Sequence, residues 1–363
     1  MSRYVGGLVK VCFWGGRVSR RRVWGRAGVA AVLSMGLSLS AAGQTGRGTE
    51  QIDFTEITEA ARQSIDAGLA QLARMQSEDG SFGADRYGSH VGITAIAGLA
   101  FMADGHLPGR GRYGPQVEAA LGFVLAHATE SGLLAAETSH GPMYGHGYGT
   151  LFLGEIYGMT GNPRVRDVLL KAVRLIVDTQ NHEGGWRYHP QPYDADISVT
   201  ITQVMALRSA RNAGVAVPRE TIERAITYVR QCQNPDDGGF RYMLSSGGSA
   251  YPRSAAGVAS LQYAGVYTDA AVTEGLQYLL RAGQGLGARG GGHYFYGHYY
   301  AAQAMFLAGG EYWSGWFPAM RDELIGRQQS NGSWTSSHGE AYGTGMSLLI
   351  LQIPNRLLPI YQR

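Results

Sequence analysis

Six stretches of this chain place small and apolar residues at helical spacing, aligned on Thr94, Thr150, Thr200, Ser254, Tyr300 and Thr344. The residues four positions earlier are His90, His146, Asp196, Ala250, Tyr296 and Glu340, so four of the six carry an ionisable group at one place in the register. Arg253 and His298 lie within a few positions of the two that do not, and Tyr144, Tyr148, Tyr193, Tyr251, Tyr299 and Tyr342 crowd the same level. Carboxylates and imidazoles are the groups that move protons near neutral pH. Tyrosine rings stabilise cations over their faces or stack on sugars. Asp196 and Glu340, held about 5 to 9.5 Å apart, would form the paired carboxylates of a glycoside-cleaving site. The same residues also have structural roles. An Asp ahead of Ser and a β-branched run accepts the orphan N–H groups of a helix start and opposes its dipole, and a single His beside a Gly turn is an ordinary buried hydrogen-bonder. His90, His146, Asp196 and His298 lack the short spacings of a metal site, so no metal or other cofactor is expected.

The elements that must position these residues are visible as a repeat. Residues 76–82 (Gln-Ser-Glu-Asp-Gly-Ser-Phe), 180–186 (Gln-Asn-His-Glu-Gly-Gly-Trp) and 328–334 (Gln-Gln-Ser-Asn-Gly-Ser-Trp) share one spacing, and Gln233, Gly238 and Phe240 fit after a one-residue insertion. An amphipathic run precedes each phrase, such as Ile65, Leu69, Leu72 and Met75, and a run rich in small residues follows it. Six such units of helix, Gly-rich turn and helix start near residues 65, 117, 168, 222, 272 and 320. The second lacks the Gln phrase, and the fifth keeps only residues 290–295. The repeat also accounts for 54 glycines, about twice the usual share, at turns and at close helix contacts.

At these phrases the chain resembles the terpenoid cyclase and protein prenyltransferase superfamily. Its Gln-x-x-x-Gly-x-Trp/Phe phrase is similar to the QW motif of squalene and hopene cyclases, and the resemblance covers all six units. It is nearest to exported bacterial prenyltransferase/squalene oxidase repeat proteins. The resemblance implies an all-α fold, an (α/α)6 toroid of six inner and six outer helices around a central cavity. Tyr193-Asp194-Ala195-Asp196-Ile197-Ser198 resembles the acid motif of class II terpene cyclases, with Ile197 where a third acid would stand. That implies Asp196 as proton donor, Asp194 as its modulator, and acid-catalysed isoprenoid chemistry of isomerase or lyase type. His90, His146, Tyr148, Tyr193, Arg253, His298, Tyr299, Glu340 and Tyr342 would then face the cavity and a small hydrophobic or isoprenoid ligand. The zinc set of the prenyltransferase branch is not matched, since Tyr251-Pro252-Arg253 stands where Asp-x-Cys is required. A ligand- or partner-binding toroid without catalysis, and a carbohydrate-active toroid, are the alternatives.

Residues 1–43 read as a signal peptide: Arg-rich, then apolar over residues 27–39, then small. Arg20-Arg21-Arg22 is similar to a twin-arginine signal, so export to the periplasm or beyond is expected by that route or the general one. Residues 44–363 are read as a single toroid domain. The first 43 residues hold seven of the 31 basic residues and none of the 28 acidic ones, which leaves a remainder of net charge −4. Such a balance gives nucleic acid no electrostatic footprint. With Cys12 removed, Cys232 stands alone, and no later run is long enough for a mature transmembrane segment. Phosphate-loop, dinucleotide and nucleophile-elbow motifs are missing.

Overall fold

The computed structural model describes residues 56–83, 85–136, 141–283 and 293–362; the signal-peptide reading lies outside them. Twelve α-helices and no strands occur among the described residues: α1 (Glu59–Arg74), α2 (Val91–Met102), α3 (Gly114–Ala126), α4 (Met143–Thr160), α5 (Pro163–Asp178), α6 (Ile197–Asn212), α7 (Arg219–Gln231), α8 (Tyr251–Tyr263), α9 (Ala270–Gly283), α10 (Tyr294–Ala308), α11 (Gly310–Arg327) and α12 (Glu340–Leu351). None of the described helices is long and apolar enough to cross a membrane.

The two helix types separate by burial. Odd-numbered helices bury one stripe, as α5 does with Val165, Leu169, Ala172, Val173 and Ile176, the pattern of a helix with one face in water. Even-numbered helices are buried nearly all round, and every residue of α2 is buried. Each even-numbered helix packs against the next, and α12 packs against α2, which closes an inner ring of six. The outer helices α1, α5, α7, α9 and α11 each touch two inner ones. This is the expected (α/α)6 toroid. Glycine lets the inner helices meet: a Cβ on Gly154 of α4 would lie 2.4 Å from Ser209 Oγ of α6, and one on Gly147 would lie 2.5 Å from Thr202 Oγ1.

The repeated phrase is a joint between units. The Gln328 amide donates to the Gly332 carbonyl of its own turn (2.9 Å) and to the Ser64 carbonyl of α1 (2.8 Å), tying the last unit to the first. Gln76 donates likewise to Gly80 and Gln116, Gln180 to Gly184 and Thr221, and Gln233 to Gly238 and Ala271. Gly332, at φ +92°, sits so close to α1 that a Cβ would fall 2.7 Å from the Ala67 carbonyl oxygen. The following aromatic residue is fixed twice. The Trp334 backbone N–H donates to Thr344 Oγ1, and its indole N–H donates to the Leu324 carbonyl at 2.8 Å.

A C-terminal tail closes one end of the ring. Its first 3-10 turn (Ile353–Asn355) packs on α10 and α12, and its second (Pro359–Tyr361) on α4 and α6, which lie diametrically opposite. Leu358, Ile360 and Tyr361 are buried, and the Ile360 N–H donates to Glu155 Oε2 at 3.0 Å.

Replacing Gln180 by Ala leaves the Gly184 and Thr221 carbonyls without their shared donor, and the expected cost is about 1–3 kcal/mol. Chemical denaturation checks this against Gln329→Ala, whose amide reaches only the exposed Arg327 carbonyl; that variant is expected to change stability by less than about 0.5 kcal/mol.

Candidate functional site

Opposite the tail, the N-terminal ends of the inner helices and their preceding loops enclose a cavity of about 270 Å³. Its wall comprises Tyr87, Tyr144, Tyr148, Tyr188, Tyr296 and Tyr342, the imidazoles of His90, His293 and His338, and an apolar floor from Ile93 and Ile96 of α2. Among the described lining residues there is no carboxylate, lysine or arginine.

The wall is tied into a hydrogen-bonded and ring-packed shell. The Tyr148 and Tyr300 hydroxyls share a hydrogen bond at 2.8 Å, and the Tyr296 hydroxyl donates to the Ser198 carbonyl at 3.1 Å. Tyr87 stacks on His338 at 6.2 Å between ring centroids, and Tyr342 lies 5.3 Å and His293 6.3 Å from the same ring. Burial pushes the Tyr144, Tyr148, Tyr296 and Tyr342 phenols up, so they stay neutral hydroxyls that both donate and accept.

His90 caps α2: its Nδ1 accepts the N–H groups of Gly92 (3.0 Å) and Ile93 (3.4 Å). Burial lowers its pKa to about 4. With Nδ1 accepting, the neutral ring carries its proton on Nε2 and is a hydrogen-bond donor at that atom.

Asp196 is the N-cap of α6 and is fully buried. Its Oδ1 accepts from Ser198 and Val199, both at 2.9 Å, and its Oδ2 lies 3.5 Å from Arg187 Nε. Burial is the largest influence on its pKa, which rises to about 6 against the pull of the Val199 N–H and other partners. Asp196 is not among the residues lining the cavity. Tyr188 shares a hydrogen bond with Tyr242, whose phenol is itself raised by burial and by the neighbouring Tyr188 and Asp196. Asp194, half-exposed, pairs with Arg187, and Tyr193 beside it is 78% exposed.

Of the residues expected to face the cavity, His90, Tyr148 and Tyr342 do so. The others are placed elsewhere. Helix α4 starts at Met143, so His146 falls inside its first turn and points outward. Its Nδ1 accepts the Leu134 N–H at 3.2 Å and its Nε2 meets the Ala172 carbonyl of α5, so it supplies the inter-unit tie in the unit that lacks the Gln phrase. His298 is wedged among Tyr251, Tyr294 and Trp316, where burial holds it near pKa 4. Arg253 lies near Tyr278 of α9. Tyr299 is buried behind the wall against Tyr148 and Tyr300. Glu340 opens α12, where Asn331 and Ser333 donate to its carboxylate. Asp196 and Glu340 therefore do not pair across the cavity. Tyr87, Tyr188 and His338 escaped the alignment on inner-helix starts because they sit on the loops before them. One signal was available: Tyr188 and Tyr242 each follow the turn aromatic, Trp186 or Phe240, by two residues.

No protein-family model matches the chain, and no curated protein matches it. Among solved structures, the chain is similar to an α-1,6-mannanase from a Salegentibacter species, at TM-score 0.61 and 8% identity over 82% of this chain and 99% of that one. It is also similar to the cellobiose 2-epimerase of Spirochaeta thermophila, at TM-score 0.59 and 13% identity over 82% and 98%. A type II terpene cyclase from Scytonema aligns at TM-score 0.39 and 14% identity over 82% and 99%. The mannanase and epimerase likenesses show the (α/α)6 toroid, and at these identities they show the fold alone, without membership of the terpenoid cyclase superfamily.

The Asp196 environment has a measurable consequence. Its folded pKa, near 6, exceeds its unfolded value. The folded chain therefore holds a proton that the unfolded chain releases between about pH 4 and 6, and stability falls as pH rises through that window. Asp196→Asn keeps the cap, since Asn serves as well as Asp at that position, but does not titrate. Its unfolding free energy relative to wild type is expected to rise by about 2–3 kcal/mol between pH 4 and 7. Urea unfolding across that range would show a flat difference if the carboxylate were an ordinary ionised cap.

Proposed function

We propose that the toroid recognises a neutral carbohydrate, with one sugar ring seated in the central cavity. The observation that carries this reading is the wall itself: six tyrosines and three histidines with no charged carboxylate, lysine or arginine among the described lining residues. A sugar presents C–H faces that pack on aromatic rings and hydroxyls that need both donors and acceptors. Phenol hydroxyls are both, and the neutral His90 adds a donor. The volume fits this reading, being below the ~300–1,000 Å³ of drug-sized pockets. An isoprenoid would gain little from so many hydroxyls. An initiating acid would have to stand at the wall, and Asp196 lies behind it with one oxygen committed to two backbone N–H groups. That two toroids of similar fold are named for carbohydrate substrates supports the reading.

His293 and His338 favour a second reading in which the bound sugar is also transformed. Two imidazoles with centroids 6.3 Å apart beside one ring can exchange protons with it as acid and base. Incorporation of deuterium from D2O into a sugar incubated with the protein, abolished in His338→Gln, would establish it. Retention of every C–H bond would leave binding alone.

Titration calorimetry with neutral gluco- and manno-oligosaccharides tests the main reading. Tyr342→Ala and Tyr87→Ala are each expected to weaken binding by about tenfold, the equivalent of one stacking contact. Asp196→Asn is expected to leave affinity unchanged. Recovery of an isoprenoid from the purified protein, with no saccharide bound, would overturn the proposal.

A further inference from the structure

Two further depressions adjoin the cavity over the last unit, and they differ from it in chemistry. The first, about 480 Å³, shares His338 and Tyr342 with the cavity wall and continues past Tyr294 and Arg327. The second, about 550 Å³, shares Gln329, Thr335 and Ser336 with the first and is lined beyond them by polar and charged residues such as Asp85, Arg86, Asn331 and Glu340. Polarity thus rises outward from an aromatic cavity to a rim of amides, hydroxyls and charges. A lipid tail would meet the opposite of what it needs along that path, whereas a hydroxyl-rich chain finds hydrogen-bond partners at each step.

The other end of the ring is shut. The tail crosses beneath the inner ring from α10 and α12 to α4 and α6. It is held there by buried Leu358, Ile360 and Tyr361 and by the Ile360 N–H to Glu155, whose second oxygen accepts from Ser209 at 2.7 Å. A chain therefore cannot thread through the toroid. Whatever enters the cavity enters from the side of the helix N-termini and stops.

From these two observations we infer that the ligand is a neutral oligosaccharide bound by its chain end, the terminal ring in the cavity and the following units over the turn of residues 329–340. This rests on the carbohydrate reading above. It adds that recognition extends over about three positions and that the middle of a chain is not a ligand.

The test uses the protein with linear manno- and cello-oligosaccharides of one to six units, together with their parent polysaccharides as competitors. Affinity is expected to rise at least tenfold from one unit to three and then level off. Competition by a polysaccharide is expected to scale with its concentration of chain ends. Ser330→Trp, which puts bulk into the outer depression from an exposed position, is expected to remove most of the gain for longer chains and leave the single sugar unaffected. Equal affinity for one and six units, or competition that scales with total sugar residues, would overturn the end-on inference while leaving the carbohydrate reading intact. Failure of every saccharide to bind would instead overturn that reading.

Discussion

The molecule is built on one joint: a Gln amide that gives one hydrogen to the Gly turn of its own unit and the other to the next outer helix. Both acceptors are backbone carbonyls, so the joint is indifferent to the side chains around it and can recur at different places in the ring. The turn Gly makes the geometry possible by bringing backbone against backbone, where a Cβ would collide with the neighbouring helix. In a linear array such a joint would leave two exposed ends, as stacked repeats usually do. Here the Gln328 joint lands on α1, and the array needs no capping unit.

Closure also separates duties along the axis of each inner helix. The C-terminal ends face the tail, which fills the ring there and makes it part of the core. The N-terminal ends stay open, and their first turns and preceding loops supply the cavity wall. Helix starts leave unsatisfied N–H groups, and two of the inner helices satisfy theirs with an ionisable residue at their own N-cap. His90 does so while still presenting its ring to the cavity. Asp196 does so from behind the wall, beside Arg187 and Tyr242. His90 and Asp196 are therefore caps first, and their access to the cavity depends on how the loop ahead of each folds, whereas Glu340 and His146 sit within the first turn of their helices and are held by neighbouring segments.

This explains how far the sequence could be read. The six helix-turn-helix units were legible because the repeat is carried by Gln, Gly and Trp, residues that make backbone contacts and have few substitutes, and the toroid followed from the resemblance of that phrase to the QW motif. Six inner runs rich in small residues and six amphipathic outer runs complete that reading. The cavity was less legible because alignment by inner-helix start assumes that each helix begins at the same point. His146 shows the failure: α4 begins three residues earlier, and its ring turns to α5. The loop residues Tyr87, Tyr188 and His338 follow no shared spacing from the helix starts, and only Tyr188 carries a signal of its own, two residues past the turn aromatic Trp186. Glu340 was placed correctly at the start of α12, but its partners Asn331 and Ser333 lie on the neighbouring turn and hold it at the rim.

The buried ionisable groups all point one way. Desolvation lowers His90, His146 and His298 to about 4, and each is then an uncharged ring at neutral pH. The same desolvation raises Glu155, at the closed end, to about 7. The two sets act oppositely on stability. The histidines favour the folded state more as pH rises from about 4 to their unfolded values near 6.5, while Glu155 and Asp196 favour it less over much of that span. The opposed slopes partly cancel, and burial drives these groups toward their neutral forms. The cavity set in this interior meets its contents with uncharged side chains among the described residues. On the carbohydrate reading it discriminates through ring faces and directed hydroxyls, and no charged side chain among its described lining residues offers an ionic ligand a salt bridge.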